Sequence, residues 1–168
     1  VSMKGTLAVA LATAAPQVLG KVQTWCTDGS VHLIYLERLG EYLRTGKVDQ
    51  VEVLRKSLVE CLMIEDMPFA EMLLFASRLC LENVIVLSTV AALSKHWPEC
   101  PRGYAKRLVD SGVQLLLPPQ YTAVVEKKLL SAPGNMLIAL PTSAGKTLLG
   151  EFRLISALGA RSGLVCYL

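Results

Sequence analysis

The sequence predicts an α/β protein that is mostly helical, with an all-helical N-terminal region over residues 1–111 and the beginning of an α/β lobe over residues 112–168. Apolar residues recur at helical spacing through the first region. After residue 112 a helix, a short apolar run, a glycine-lysine loop, a helix and a second apolar run follow in order, which is how a parallel sheet begins. With 52% hydrophobic and 18% charged residues, the chain is predicted to be compact rather than disordered.

The N-terminal stretch MKGTLAVALATAAPQ, residues 3–17, resembles a signal peptide because one lysine precedes a short apolar run and several small residues. The apolar run is at the short end for that role. A core helix with Leu7, Leu11 and Val18 near one face is therefore the favoured interpretation. No stretch reaches the roughly 20 apolar residues of a membrane-spanning helix, so no membrane contact is predicted.

Two amphipathic helices are predicted next. Ser30 is a candidate N-cap for the first, and Gly46 is a stop signal. Asp49 can cap the second. Their apolar faces are predicted to consist of Leu33, Leu36, Leu39, Leu43, Val51, Leu54, Leu58 and Leu62.

Asp66-Met67-Pro68 predicts the start of another helix that runs to about Leu81, since proline is tolerated in a first helical turn. Residues 84–97 are ambiguous, because their β-branched run suits a strand while their surroundings favour a buried helix. A short helix is predicted from Tyr104 to Asp110, ending at Ser111-Gly112.

The second region begins with an extended entry, since the two prolines of VQLLLPPQ disfavour helix in the residues before them. Its predicted elements are a helix from Gln120 to about Leu130, apolar runs at residues 136–140 and 163–168, and a helix from about Lys146 to Leu158.

The cysteines and charges exclude several classes of function. Five cysteines, with no C-x-x-C pair, predict buried free thiols rather than a disulfide framework or a zinc site. The net charge of +3 is too small to indicate a nucleic-acid partner by itself. Residues 1–119 carry 12 Lys+Arg and 12 Asp+Glu, whereas residues 120–168 carry 5 and 2, so the basic excess lies in the second region.

The triplet Gly145-Lys146-Thr147 follows a strand-like run and opens a predicted helix, the setting of a phosphate-binding loop. Backbone N–H groups and the helix dipole attract the anion there. Lys146 would contact the β- and γ-phosphates, and the Thr147 hydroxyl would be a Mg²⁺ ligand. The strict pattern has a glycine where this chain has Leu140, so a helix N-terminus without a ligand stays open on the triplet alone.

The residues around the triplet add a family resemblance. The loop PTSAGKT resembles the motif I loop of superfamily 2 DEAD/DEAH-type ATP-dependent helicases, in the branch of archaeal repair helicases and the helicase domain of DNA polymerase theta. Gln120, after LPP, matches their adenine-contacting glutamine, although such a glutamine is also an ordinary helix-start residue. The resemblance implies binding of ATP with Mg²⁺ by Gln120, Pro141, Thr142, Ser143, Ala144, Gly145, Lys146 and Thr147.

The resemblance also implies a RecA-like lobe, an intracellular location, and an ATP-driven motor that acts on a single strand of DNA or RNA. Such a motor needs an acidic pair on a later strand and arginines from a second lobe. No Asp-Glu pair follows Thr147. We therefore expect a truncated lobe, at most weak nucleotide binding and no unwinding by this chain alone, with Lys146 and Thr147 as its part of the catalytic machinery.

Several residues have two interpretations. Glu151 matches the family pattern one turn beyond Thr147, but an ordinary surface carboxylate fits equally well. Arg153 and Arg161 could contact phosphates or lie at the surface. The same two interpretations apply to Lys127 and Lys128. Two other classes stay open. One is a helical protein-interaction module with a degenerate or truncated nucleotide-binding tail, and the other is a non-helicase phosphate-loop NTPase.

Overall fold

The computed structural model describes residues 2–26, 29–63, 69–131, 137–141 and 145–159. Its first five helices pack around one apolar core, here called the N-terminal cluster. These helices are α1 (Ser2–Ala14), α2 (Leu19–Gln23, preceded by a 3₁₀ turn at Pro16–Val18), α3 (Val31–Thr45), α4 (Asp49–Met63) and α5 (Ala70–Leu87). None of the helices in the described ranges is long and apolar enough to cross a membrane.

Helix α1 lies at the centre of this cluster, but its buried face is not the predicted one. The side chains of Leu7 and Leu11 are 53% and 39% exposed. The described residues that α1 buries are Gly5, Thr6, Ala8, Val9, Ala12 and Thr13. The predicted core helix is confirmed, and Val18, half-buried in the 3₁₀ turn, packs on this cluster. The predicted burial of Leu7 and Leu11 was wrong, because small side chains let neighbouring helices approach α1 closely, which large leucines would prevent.

Helix α3 confirms the sequence signals at both of its ends, and helix α4 begins without the predicted cap. The Ser30 hydroxyl accepts a hydrogen bond from the backbone N–H of Leu33 at 3.1 Å, as an N-cap does. Gly46 ends α3 in the left-handed conformation, with φ +62°. Asp49 is the first residue of α4 rather than its cap. The buried residues of the two apolar faces include Leu36, Leu39, Leu43, Leu54, Leu58 and Leu62.

Helix α5 continues six residues beyond the predicted end at Leu81, and the predicted helix over residues 84–97 is interrupted. The break lies at Ser88, after which α6 (Thr89–His96) begins. The extended segment 114–116 causes it, because Leu116 N–H donates to the Leu87 carbonyl at 2.8 Å and Leu115 forms an antiparallel bridge with Ser88. Asp66-Met67-Pro68, the predicted start of α5, lies outside the described residues.

A second apolar core, here called the C-terminal cluster, is built from α6, α7 (Tyr104–Asp110), α8 (Pro118–Tyr121) and α9 (Lys146–Gly159). The predicted limits of α7 are confirmed, and α9 ends one residue after the predicted Leu158. The buried residues of this core include Leu93, Trp97, Leu116, Val124, Leu129, Leu149 and Phe152. The members of this core that precede residue 111 lie in α6, in α7 and in the loop between them. These elements therefore pack with the predicted second region.

The predicted helix from Gln120 to Leu130 is shorter than expected. A π-helical segment, Thr122–Glu126, follows α8, and Lys128 then takes the left-handed conformation with φ +51°. The described part of the first apolar run, residues 137–140, forms neither helix nor strand. The second run, residues 163–168, lies outside the described residues. The predicted RecA-like sheet therefore stays a prediction.

Candidate nucleotide-binding site

The start of α9 carries the residues predicted to contact phosphate. Lys146 and Thr147 are its first two residues, and both side chains are exposed. Gly145 precedes them in the left-handed conformation, with φ +68°, and its carbonyl accepts from Leu148 N–H at 3.2 Å. The turn thus leads directly into the first helical turn, where backbone N–H groups and the helix dipole favour an anion.

Gln120 joins this turn to the segment that precedes α8. Its side chain is only 4% exposed. The amide oxygen accepts from the backbone N–H of Leu117 at 2.8 Å, and the amide nitrogen donates to the Gly145 carbonyl at 3.2 Å. The structure therefore brings together two residues, 25 positions apart, that the sequence predicts to belong to one ATP site.

Gly145 is the residue that this contact requires. A Cβ at position 145 would lie 2.2 Å from the amide nitrogen of Gln120. The positive φ at the same position disfavours other residues as well. A side chain at position 145 would therefore strain the turn and push the Gln120 amide away from the Gly145 carbonyl.

The described residues contain only the two ends of the predicted loop. Pro141 is exposed at one end, and Gly145 stands at the other. Thr142, Ser143 and Ala144, which the sequence analysis assigned to ATP binding, lie outside the described residues. The roles of Lys146 as a phosphate contact and of Thr147 as a Mg²⁺ ligand stay predictions.

Glu151 contacts another helix rather than standing alone on the surface. The Tyr104 hydroxyl donates to its carboxylate at 2.6 Å and so links α7 to α9. Burial and then the neighbouring Glu151 raise the pKa of Tyr104 above its usual range, so the hydroxyl keeps the proton that it donates. Sequence reasoning missed Tyr104, because the two partners are 47 residues apart and no local motif connects them.

The second half of α9 is anchored to the segment that follows the π-helical turn. Arg153 donates to the Leu129 carbonyl at 3.1 Å, and Ser156 donates to the Leu130 carbonyl at 2.7 Å. Arg153 therefore has a structural partner on the protein itself. Lys127 and Lys128 are exposed, and Arg161 lies outside the described residues.

The described residues include four of the five cysteines. Within those ranges, no cluster of three or more His, Cys, Asp or Glu side chains could hold a metal ion. Cys26, Cys61, Cys80 and Cys100 are free thiols, of which Cys61 is buried and the others are half-buried. Cys166 lies outside the described residues.

Comparison with known proteins relates part of the chain to helicases. ATP-dependent DNA helicase Hel308 of Methanocaldococcus jannaschii is 49% identical over 51 residues, which are 30% of this chain and 4% of that protein. The Hel308 of Methanococcus vannielii is 45% identical over 49 residues, 29% of this chain and 6% of its own length. No protein-family model and no solved structure matches the chain. The chain thus contains a helicase-related segment and matches a small fraction of the length of these relatives.

Proposed function

We propose that this chain carries the ATP-binding edge of the first, RecA-like motor lobe of a superfamily 2 DNA helicase, of the branch that the loop PTSAGKT resembles. ATP would bind with Mg²⁺ at the start of α9. Lys146 would contact the phosphates, Thr147 would coordinate Mg²⁺, and the loop residues Pro141, Thr142, Ser143, Ala144 and Gly145 would surround them. The complete motor would be intracellular and would act on single-stranded DNA.

The contact between Gln120 and the Gly145 carbonyl carries this proposal. It joins Gln120, which matches the adenine-contacting glutamine of the family, to the turn that precedes α9. Each amide group has two N–H donors and two acceptor lone pairs, and the two observed bonds use one of each. The amide therefore keeps one donor and one acceptor, the pair that adenine N7 and its N6 amino group require.

Hydrolysis and unwinding need groups beyond those of the site. An acidic pair must hold Mg²⁺ and orient water, and arginines must stabilise the transferred phosphate. The sequence after Thr147 contains no Asp-Glu pair. We therefore propose that the chain alone binds MgATP weakly and does not unwind a duplex.

Nucleotide protection tests the proposal. At 100 times its dissociation constant, a ligand that binds only the folded state stabilises it by about 2.7 kcal/mol. MgATP should raise the urea midpoint of the wild type, and Lys146→Ala should remove the shift. Lys95→Ala is the matched control, because Lys95 is an exposed lysine in the last turn of α6.

Two results would contradict the proposal: no stabilisation of the wild type by MgATP, or an equal loss of stabilisation in the Lys146→Ala and Lys95→Ala variants. A preference for ATP over GTP would support the adenine contact of Gln120. Unwinding of a duplex by the wild-type chain would contradict the proposal that it does not unwind alone.

A second candidate function, a helical protein-interaction module, is favoured by the outer face of α5. The apolar side chains exposed there, or just before its start, are those of Phe69, Met72, Phe75, Leu79 and Val86. Exposed apolar patches of this kind mark protein contacts. We take a second copy of the chain as the partner. Sedimentation velocity should then show association in the wild type and in Leu7→Ser, but not in Phe75→Ser, and MgATP should bind to none of them.

A further inference from the structure

We propose that Tyr104 is a positioning residue for the phosphate-binding end of α9 and acts through its hydrogen bond to Glu151. It would hold the helical turns that carry Lys146 and Thr147 in the orientation that MgATP needs. This inference rests on the proposed function and extends it, because Tyr104 belongs to the helical region, residues 1–111, to which the sequence assigns no role at the nucleotide.

The ring of Tyr104 is fixed by two other aromatic side chains. Its centroid lies 5.9 Å from that of Trp97 and 6.1 Å from that of Phe152, and both pairs meet edge to face. Trp97 and Phe152 are buried. Because the ring is held by this packing, its hydroxyl presents a donor at a defined place beside α9.

Glu151 is well placed to transmit that position to the start of α9. It follows Thr147 by four residues, so the two side chains lie one above the other on the same helix face. The anchors made by Arg153 and Ser156 lie farther along the helix. Of the side-chain hydrogen bonds that α9 makes in the described part of the chain, the one to Tyr104 lies nearest to Lys146.

The residue directly before the first turn is held by Gln120, which donates to the Gly145 carbonyl. The start of α9 is thus held at two points, by Gln120 before the first turn and by Tyr104 through Glu151 in the second. Removing the Tyr104 hydroxyl should leave one of these two hydrogen bonds, beside the packing of the buried Leu149. The N–H groups of the first turn and the Thr147 hydroxyl would then be less well ordered for MgATP.

Four variants of the full chain test the inference by their dissociation constants for MgATP, measured by calorimetry. Tyr104→Phe keeps the ring and removes the donor, and Glu151→Ala removes the acceptor. Each should weaken binding by about threefold to tenfold, and their double variant should be no weaker than either single one. Glu151→Gln keeps an acceptor oxygen and should bind like the wild type.

Tyr121→Phe is the matched control, since Tyr121 is a half-buried tyrosine packed against the same core. It should leave MgATP binding unchanged. Unfolding free energies measured in parallel separate positioning from stability. If Tyr104→Phe lowers stability without weakening MgATP, or if the effects of Tyr104→Phe and Glu151→Ala add, the inference is overturned.

Amide hydrogen exchange keeps the inference testable if the wild type binds no MgATP, a result that would contradict the proposed function alone. Without nucleotide, Tyr104→Phe and Glu151→Ala should speed exchange at the amides of residues 150–153, which are hydrogen-bonded within α9, and leave those of α3 unchanged. Unchanged exchange at residues 150–153 would overturn the role of Tyr104.

Discussion

The N-terminal and C-terminal clusters satisfy their polar groups in different ways. In the N-terminal cluster, long helices satisfy their own backbone, and buried side chains pair with each other, as Thr13 and Tyr35 do at 2.8 Å between their hydroxyl oxygens. Side chains there also donate to helical carbonyls, as Tyr42 does to Ile85 and Cys61 to Val31. In the C-terminal cluster side chains donate to carbonyls that lie outside the helices. Those donors include Gln120, Arg153 and Ser156.

This difference indicates where the chain can hold a ligand. Peptide groups outside regular helices need other partners, and side chains that supply them also fix the loops in place. The described candidate site residues lie in the C-terminal cluster or directly beside it. The N-terminal cluster consists of regular helices and contains none of the described candidate site residues.

Removing a buried aromatic ring should give the largest effect. Phe152→Ala empties the centre of the C-terminal cluster, where Phe152 is fully buried between Trp97 and Tyr104. We expect a loss of about 3–5 kcal/mol in the free energy of unfolding by urea, together with weaker MgATP binding. Leu158→Ala, at an exposed position of the same helix, should change stability by less than about 0.5 kcal/mol.

The matching change in the N-terminal cluster is Leu58→Ala, since Leu58 is fully buried in α4. It should cost about 2–5 kcal/mol of stability. Under conditions where the chain stays folded, its MgATP affinity should equal that of the wild type. The contrast between the clusters fails if Leu58→Ala weakens binding as much as Phe152→Ala does.

An intermediate effect is expected from two glycines of the C-terminal cluster that share a positive φ. Gly103 has φ +77° with nothing near its missing Cβ, whereas a Cβ at Gly145 would collide with Gln120. Gly103→Ala should therefore cost about 1 kcal/mol from the backbone alone. Gly145→Ala should cost roughly 1–3 kcal/mol more, because the buried Gln120 amide loses its partner, and should abolish MgATP binding.

Urea unfolding and calorimetry on this pair of variants measure the Gln120 contact separately from backbone strain. Equal losses of stability in Gly103→Ala and Gly145→Ala would mean that the contact contributes nothing. In that case the polar bonds to loop carbonyls would not distinguish the C-terminal cluster from the N-terminal one.

The sequence predicted those features of the fold that local signals determine. Ser30 and Gly46 mark the ends of α3 because each acts on its own backbone. The break at Ser88 was missed because its cause, the segment 114–116, lies more than 25 residues away. The buried face of α1 was missed for a related reason: it depends on how closely the neighbouring helices approach α1.

The candidate site shows the same difference between local sequence signals and long-range packing. Gln120 and Gly145 were predicted from a motif and its spacing, and the structure brings them into contact. Tyr104 could not be predicted, since only the packing of α7 on α9 brings it to Glu151. The sequence alone thus identified the groups proposed to touch the nucleotide and missed the group that we propose holds them in place.

The smallest expected effect compares one thiol from each cluster at high pH. Burial, followed by the nearby charge of Glu60, raises the pKa of Cys61 from 9.0 to about 12. Burial also raises the pKa of the half-buried Cys100. In both cases the folded chain keeps a proton that the unfolded chain releases. Stability is therefore fully present below pH 9 and, for Cys61, is lost as the pH rises from 9 towards 12.

Relative to Cys61→Ser, the wild type should lose up to about 1.4 kcal/mol of unfolding free energy per pH unit above pH 9. Serine is a suitable replacement, because the Cys61 thiol donates to the Val31 carbonyl and a hydroxyl can do the same. The corresponding slope for Cys100→Ser should be smaller, since water reaches the Cys100 thiol. Unfolding free energies would be measured by urea titration at pH 8–10. If they changed equally with pH for the two thiols, the core of the N-terminal cluster would exclude water no better than the margin of the C-terminal cluster.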